Sequence, residues 1–250
     1  MDGEIKRRIE DLMNRSVRTN QPTATGFLDP AEFAEARLFL KSEPGARYVV
    51  CGGFEGAERS RLIFIPDYYD ENCFPAEEYI AVIRAECSFG NLTHRDWLGS
   101  VMGLGVKRDA LGDILVCDGY ADIICTDKIA QYLADNLIKV GRYGVKTHMI
   151  SMGEIVPPNP KFDVRTGTVA SLRADAVVAL AFGISRTNAV SLIREGRLSV
   201  DHLPEQNTSA EIEEGVLLSL RGFGRAKLAR VGGTSKKGRI FLEFNVFSKK

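Results

Sequence analysis

The stretch LRADAVVALAFGISRTNAVSLIREGRLSV, Leu172 to Val200, decides how the last third of the chain folds. Leu172, Ala176, Val177, Leu180 and Ala181 recur at helical spacing, so the first half reads as a helix. Gly183 is its expected C-cap. Ser185 then caps a second helix, Arg186 to Glu195, whose inward face is Ala189, Val190, Leu192 and Ile193. Gly196 stops that helix, and Arg197 to Val200 reads as a short strand. Two helices thus meet with almost no loop between them. Downstream, Thr208 to Ile212 is extended, Glu213-Glu214-Gly215 turns, and Val216 to Leu220 and Arg239 to Phe244 alternate as strands of a small sheet.

Moving outward, Pro157, Pro158 and Pro160 mark a stiff segment, and residues 156–169 are expected to be a Pro-rich linker. The opening block, 1–75, reads as a small α+β domain. It has an amphipathic helix over 1–18 and a second helix capped by Asp29 with Pro30 at its first position. A strand pair follows, Tyr48 to Cys51 and Arg61 to Ile65. The middle block, 76–155, mixes expected helices at Glu77 to Ala85, after Thr93, and at Asp127 to Leu137 with strands at Asp113 to Cys117, Ala121 to Cys125 and Val145 to Ser151. The fold class is therefore α+β: three small modules in tandem, the last spanning 170–250.

Composition narrows the function. Lys+Arg and Asp+Glu are both 33, so a uniformly basic nucleic-acid binder is excluded. The balance conceals an asymmetry. Residues 170–250 carry 13 Lys+Arg against 8 Asp+Glu, while 1–169 carry 20 against 25. Between Gly215 and Leu242 no acidic residue occurs, yet Arg221, Arg225, Lys227, Arg230, Lys236, Lys237 and Arg239 all fall there. Such a run is the footprint of a surface for a polyanion. The five cysteines are odd in number and none is in a C-x-x-C spacing, so neither a disulfide framework nor a zinc site is expected. The apolar runs are too short for a membrane span, which needs roughly 20 residues. Met1 to Glu10 lacks the apolar core of a secretory signal, so the expected location is the cytoplasm.

Two resemblances extend this reading. Leu172-Arg173-Ala174-Asp175, Ser185-Arg186-Thr187-Asn188-Ala189 and Ile193-Arg194-Glu195-Gly196-Arg197-Leu198-Ser199-Val200, with the late turn at Glu214-Gly215, resemble the alpha-L RNA-binding domain of ribosomal protein S-four type. Asp201-His202 departs from that pattern, where Asn-Gly is frequent. Leu92 to Ser100, Gly103 to Arg108, Gly112 to Ile114 and Lys139 to Arg142 resemble the bacterial YlmH family. That family joins an N-terminal domain, a middle RNA-binding domain and a C-terminal S-four-type domain. The resemblance implies a non-enzymatic RNA-binding protein associated with the large ribosomal subunit. Its implied ligands are rRNA and tRNA, with links to rescue of stalled subunits and to cell division.

Candidate RNA contacts follow from charge and helix ends. Ser185, Arg186 and Asn188 sit where a helix N-terminus offers N–H groups to a phosphate. Arg194, Arg197, Arg221 and Arg225 are expected to extend this into a strip, and Arg173 is a further candidate contact, with a helix-start ion pair to Asp175 as the alternative. Lys227, Lys236, Lys237 and Arg239 form the basic end, the last three at a hairpin tip. Arg95, Lys107, Arg108 and Arg142 are a candidate secondary contact in the middle module. No catalytic residue, metal site or cofactor is assigned, and the N-terminal module is the expected seat of any protein partner. The alternatives are an RNA-modifying enzyme of the pseudouridine synthase or methyltransferase type with an S-four appendage, and a scaffold for division proteins. The enzyme reading finds no catalytic signature and would rest on Asp96, Asp113 and Asp122 as a carboxylate cluster.

Overall fold

The computed structural model describes residues 3–87, 92–157, 162–235 and 238–247. It divides into two compact units, Met1–Pro158 and Asn159–Lys250.

In the first unit, α1 (Gly3–Thr19) and α2 (Pro30–Leu40) cover one face of a three-stranded sheet, β1 (Thr23–Ala24), β2 (Tyr48–Cys51) and β3 (Arg61–Phe64), in the order β1-β3-β2. Asp29 closes a capping box on α2, accepting from the Ala31 and Glu32 N–H groups while Glu32 accepts from its own. Ile9, Ala36, Phe39, Leu62 and Phe64 fill the space between helices and sheet. A second, four-stranded antiparallel sheet runs β5-β6-β4-β9, with β4 at Ile80–Glu86, β5 at Leu111–Val116, β6 at Tyr120–Thr126 and β9 at Lys146–Ile150. The helices α3 (His94–Gly103) and α4 (Asp127–Asn136) pack on one face around Trp97, Val101, Ile123 and Leu133. Phe27, Val82, Leu115, Ile124 and Ile155 pack on the other. A short hairpin, β7 (Lys139–Val140) and β8 (Tyr143–Gly144), follows α4.

One sequence expectation fails here and one is refined. The helix expected at Glu77 to Ala85 is a 3-10 turn, Ala76–Tyr79, followed by β4. Ile80 and Val82 face one core while Ile83 and Ala85 face the other, so the run is apolar on both sides and has no period to read. The linker expected over 156–169 is shorter, because β10 (Phe162–Val169) is a full strand of the second unit. The parts expected on either side of 75/76 pack together within the first unit. Phe27 from the opening part packs on Gly112 of β5, where a Cβ would come within 2.8 Å of its ring. Arg59 reaches the carbonyls of Phe27 and Leu111. Arg61 bonds those of Thr25 and Tyr79.

The second unit is a six-stranded antiparallel sheet in the order β10-β15-β14-β13-β11-β12, completed by β11 (Leu198–Val200), β12 (Leu203–Glu205), β13 (Leu217–Leu220), β14 (Gly224–Thr234) and β15 (Ile240–Phe247). The helices α5 (Ala174–Phe182) and α6 (Arg186–Arg194) cover one face, bent by 112° at Gly183 to Ser185. Gly183 takes the left-handed conformation at φ 65° that ends α5, and Ser185 caps α6. Val177, Ala181, Ile193, Leu218, Leu228 and Phe244 make the core between helices and sheet. Asp201 (φ 46°) and His202 (φ 70°) form the two-residue turn joining β11 and β12. Both are left-handed, which is the geometry that favours Asn-Gly there. The 11-residue strand β14 is absent from the sequence reading. Its pairing with β15 breaks register twice, between Leu228 and Arg230 and between Val231 and Thr234. These bulges hide the alternation.

Candidate nucleic-acid interface

The N-termini of α5 and α6 come together on one carboxylate. Asp175, in the first turn of α5, is only 3% exposed. Arg186 Nε and Nη2 donate to its Oδ2 at 3.1 and 2.9 Å, and Arg173 Nε and Nη2 donate to its two oxygens at 3.3 Å each. Burial raises the Asp175 carboxyl, but the bonds from Arg173 and Arg186 outweigh it and hold it below the ordinary carboxylate value. The expected Arg173–Asp175 ion pair is therefore present, as part of a triad. The arginine side chains remain 41% and 57% exposed. Each guanidinium spends only two of its nitrogens on Asp175, so donors remain for an external anion. Beside them the Ser185 hydroxyl accepts from the Asn188 N–H, while the first two N–H groups of α6 have no partner inside the helix.

Around this clamp the expected strip divides. Arg194 is exposed in the last turn of α6. Arg197 is half-buried and structural: its Nη2 donates to the Arg221 carbonyl at 2.8 Å, and the Arg221 N–H returns to the Arg197 carbonyl at 2.9 Å. Gly222 (φ 90°) lets that guanidinium pass, since a Cβ there would lie 2.8 Å from it. Arg221 points its own side chain to solvent. Arg225 and Lys227 are not part of the same surface. They alternate along β14 with Ala226 and Leu228, which are buried under the helices, so they project from the opposite face of the sheet. The expected strip from Arg186 to Arg225 is thus corrected to two surfaces, one per sheet face, with Lys227 beside Arg225 on the outer one. Arg239 is held to β10, its Nε and Nη2 donating to the Thr168 hydroxyl and carbonyl at 2.9 and 2.6 Å. Lys236 and Lys237 lie outside the described residues.

In the first unit, Arg95 and Lys107 are exposed, and Arg142 lies on its neighbour Tyr143. Arg108 is instead turned inward, bonding the carbonyls of Leu111 and Gly112, and belongs to the joint between the two sheets rather than to a surface. The three aspartates weighed as a cluster are each engaged elsewhere. Asp96 caps α3 through Thr93, Asp113 accepts the N–H groups of Glu58 and Arg59, and buried Asp122 is gripped bidentately by Arg84 at 2.7 and 2.8 Å. Sequence reading missed Arg59, Arg61 and Arg84 as internal staples. Each acts on groups remote in sequence, and no local pattern announces that.

One family model, described as "YlmH, N-terminal", matches residues 2–69, and a second, described as "Putative RNA-binding domain in YlmH", matches residues 77–154. The chain is 32% identical over 225 residues to the ribosome-associated protein quality control protein P2 of Bacillus subtilis (strain 168), covering 88% of this chain and 85% of that protein. It is also similar to the structure of the cell division protein ylmH from Streptococcus pneumoniae. That match has a TM-score of 0.51 at 26% identity, over 62% of this chain and 94% of that one.

Proposed function

The chain belongs to the YlmH family, and on that footing we propose that it is a ribosome-associated RNA-binding protein that acts by holding RNA in one geometry. The observation that carries this reading is the Asp175 clamp. Two guanidiniums are fixed beside the start of α6 before any ligand arrives, so little side-chain freedom is lost when a phosphate meets them. Nothing in that arrangement activates a nucleophile, and the protein is read as a binder without enzymatic activity and without a cofactor.

The C-terminal unit is read as an S-four-type domain, with Arg173, Arg186, Asn188, Arg194 and Arg221 on its RNA-facing side. Arg95, Lys107 and Arg142 of the first unit are read as a secondary contact. The ligands are taken to be rRNA and tRNA on the large subunit, in the cytoplasm. The Bacillus relative is named for ribosome-associated quality control and the pneumococcal one for cell division. Rescue of stalled subunits is the role that fits holding RNA, with any division effect downstream of it and any protein partner met through the N-terminal part.

The test is sedimentation of lysate on sucrose gradients, for the wild type and for Arg186→Ala/Arg221→Ala. Loss of one charge-assisted contact per arginine weakens RNA binding by roughly 1–3 kcal/mol in total. The wild type is expected to travel with large subunits and the folded double variant to stay at the top. Undiminished co-sedimentation of the variant refutes the placement of the site.

A further inference from the structure

Among the described residues, the face of the six-stranded sheet turned away from α5 and α6 has no helix of its own unit to cover it, yet it is far from polar. One cross-strand row runs Phe162, Phe247, Arg225, Ser219, Ser199, and the next runs Val164, Asn245, Lys227, Leu217. Phe162 is 43% exposed and Val164 59%. The rings of Phe162 and Phe247 meet edge to face at 6.2 Å, and the Arg225 guanidinium lies 5.9 Å from the Phe247 ring centre. Further along β15, the exposed Phe241 ring lies over Gly232, where a Cβ would come within 2.9 Å of it.

The cations on this face are there by construction. Regular alternation from Ala226 and Leu228 would send Arg230 into the core. The register break after Leu228 inserts one residue and returns Arg230 to the outer side, opposite Glu243. Glu243 is the one carboxylate among the described outward residues of β10, β15 and β14, against Arg225, Lys227 and Arg230. Sheet-borne aromatic rings beside a line of cations are suited to one ligand chemistry. Unpaired bases stack on the rings while the sugar-phosphate backbone follows the charges. A duplex keeps its bases inside and has no use for the rings.

We propose that this outer face is a second RNA surface, which takes a single-stranded segment by stacking bases on Phe162 and Phe247 with phosphates on Arg225, Lys227 and Arg230. It extends the function proposed above, from which it takes only that the ligand is RNA. It assigns paired or folded RNA to the helix side and unpaired RNA to the sheet side of the same unit.

The test uses the full chain, a fluorescein-labelled oligouridylate of about ten nucleotides, a length such platforms cover, and a labelled RNA hairpin titrated beside it. Phe162→Leu/Phe247→Leu keeps the apolar area and removes the rings. It is expected to lose about tenfold or more in affinity for oligouridylate with hairpin affinity unchanged, and Phe162→Tyr/Phe247→Tyr is expected to restore binding. Lys227→Gln/Arg230→Gln is expected to flatten the salt dependence of oligouridylate binding by roughly 1.4 in log–log slope, two phosphate contacts at about 0.7 each. Oligouridylate binding that ignores the leucine pair overturns the inference. So does a chain that binds the hairpin and not the oligouridylate, although the function proposed above then stands. A chain that binds neither sinks both. If the leucine pair instead changes the sedimentation coefficient of the protein alone, the face joins copies of the chain and the inference fails.

Discussion

Replacing Asp175 with Asn removes the anion on which Arg173 and Arg186 converge, and its cost can be worked from the geometry. Four hydrogen bonds reach the carboxylate, two near 3 Å from Arg186 and two at 3.3 Å from Arg173. A hydrogen bond to a charged group contributes about 1.5–3 kcal/mol when well made. The Arg173 pair is long, and both arginines are 41% or more exposed, so water replaces much of what they lose and screens the rest. The asparagine keeps one acceptor oxygen but turns an amide donor toward guanidinium donors. The net loss is about 2 kcal/mol, which is roughly 30-fold in an opening equilibrium. Amide hydrogen exchange read by mass spectrometry on peptides from α5 and α6 measures this directly. Near neutral pH these peptides should exchange roughly 30-fold faster in Asp175→Asn than in the wild type. The pH dependence has a definite sign. The folded-state pKa of Asp175 lies below its unfolded value, about 3.9. Its contribution is therefore complete above that value and is lost as pH falls through the folded pKa, so variant and wild type should converge in acid. Equal exchange near neutral pH, or a gap that persists unchanged in strong acid, would refute the reasoning.

Other outcomes are equally specific. Gly112→Ala places a Cβ 2.8 Å from the Phe27 ring and 3.0 Å from Ile124, both buried, and should cost roughly 1–3 kcal/mol; a urea midpoint followed by Trp97 fluorescence, in the same unit, checks it. His202→Gly removes a left-handed non-glycine residue from the β11–β12 turn while leaving Asp201, whose Oδ1 accepts from the Leu217 N–H. The gain is about 0.5 kcal/mol after the added freedom of the unfolded chain is subtracted, seen as a thermal midpoint higher by about 2 °C. Burial, with a smaller push from Asp127, raises the Cys125 thiol to about 12. Under mildly alkaline, native conditions an aromatic disulfide reagent should modify exposed Cys73 and leave Cys125 untouched until the protein unfolds; fast labelling of Cys125 in the folded chain would contradict its placement.

Local signals were readable wherever the structure obeys them locally. Asp29 with Pro30, Thr93, and Gly183 with Ser185 each carry a helix boundary in their own side chains or backbone freedom, and each stands where the sequence put it. The failures share a different physics. Ile80 to Glu86 is apolar on two faces because two separate cores press on it, and neither core is visible in a short window. Phe162 to Val169 follows prolines and looks like linker because its strand partner among the described residues is β15, about 80 residues on. On β14, bulges decide which face Arg230 occupies, so counting residues cannot show that the basic run belongs to a surface apart from Arg186. The Asp175 clamp lies between these cases. Its residues were named from sequence, but that one carboxylate gathers both arginines depends on the sharp bend between α5 and α6.

The pairing of β10 with β15 has a consequence for how the protein is made. Among the described residues, the strand that opens the second unit pairs only with β15, from Phe162 against Phe247 to Val169 against Ile240. During synthesis β10 emerges about 70 residues ahead of β15 and waits with both edges bare until β15 has been added. Contacts closed over such a separation in sequence are slow to form, and an unpaired strand is exposed to wrong partners meanwhile. The helices and the β11–β14 strands can assemble around their own core first, so β10 and β15 should dock last. A premature stop at or before residue 240 would strip β10 of this partner, and the damage would reach back to residue 162, far from the truncation.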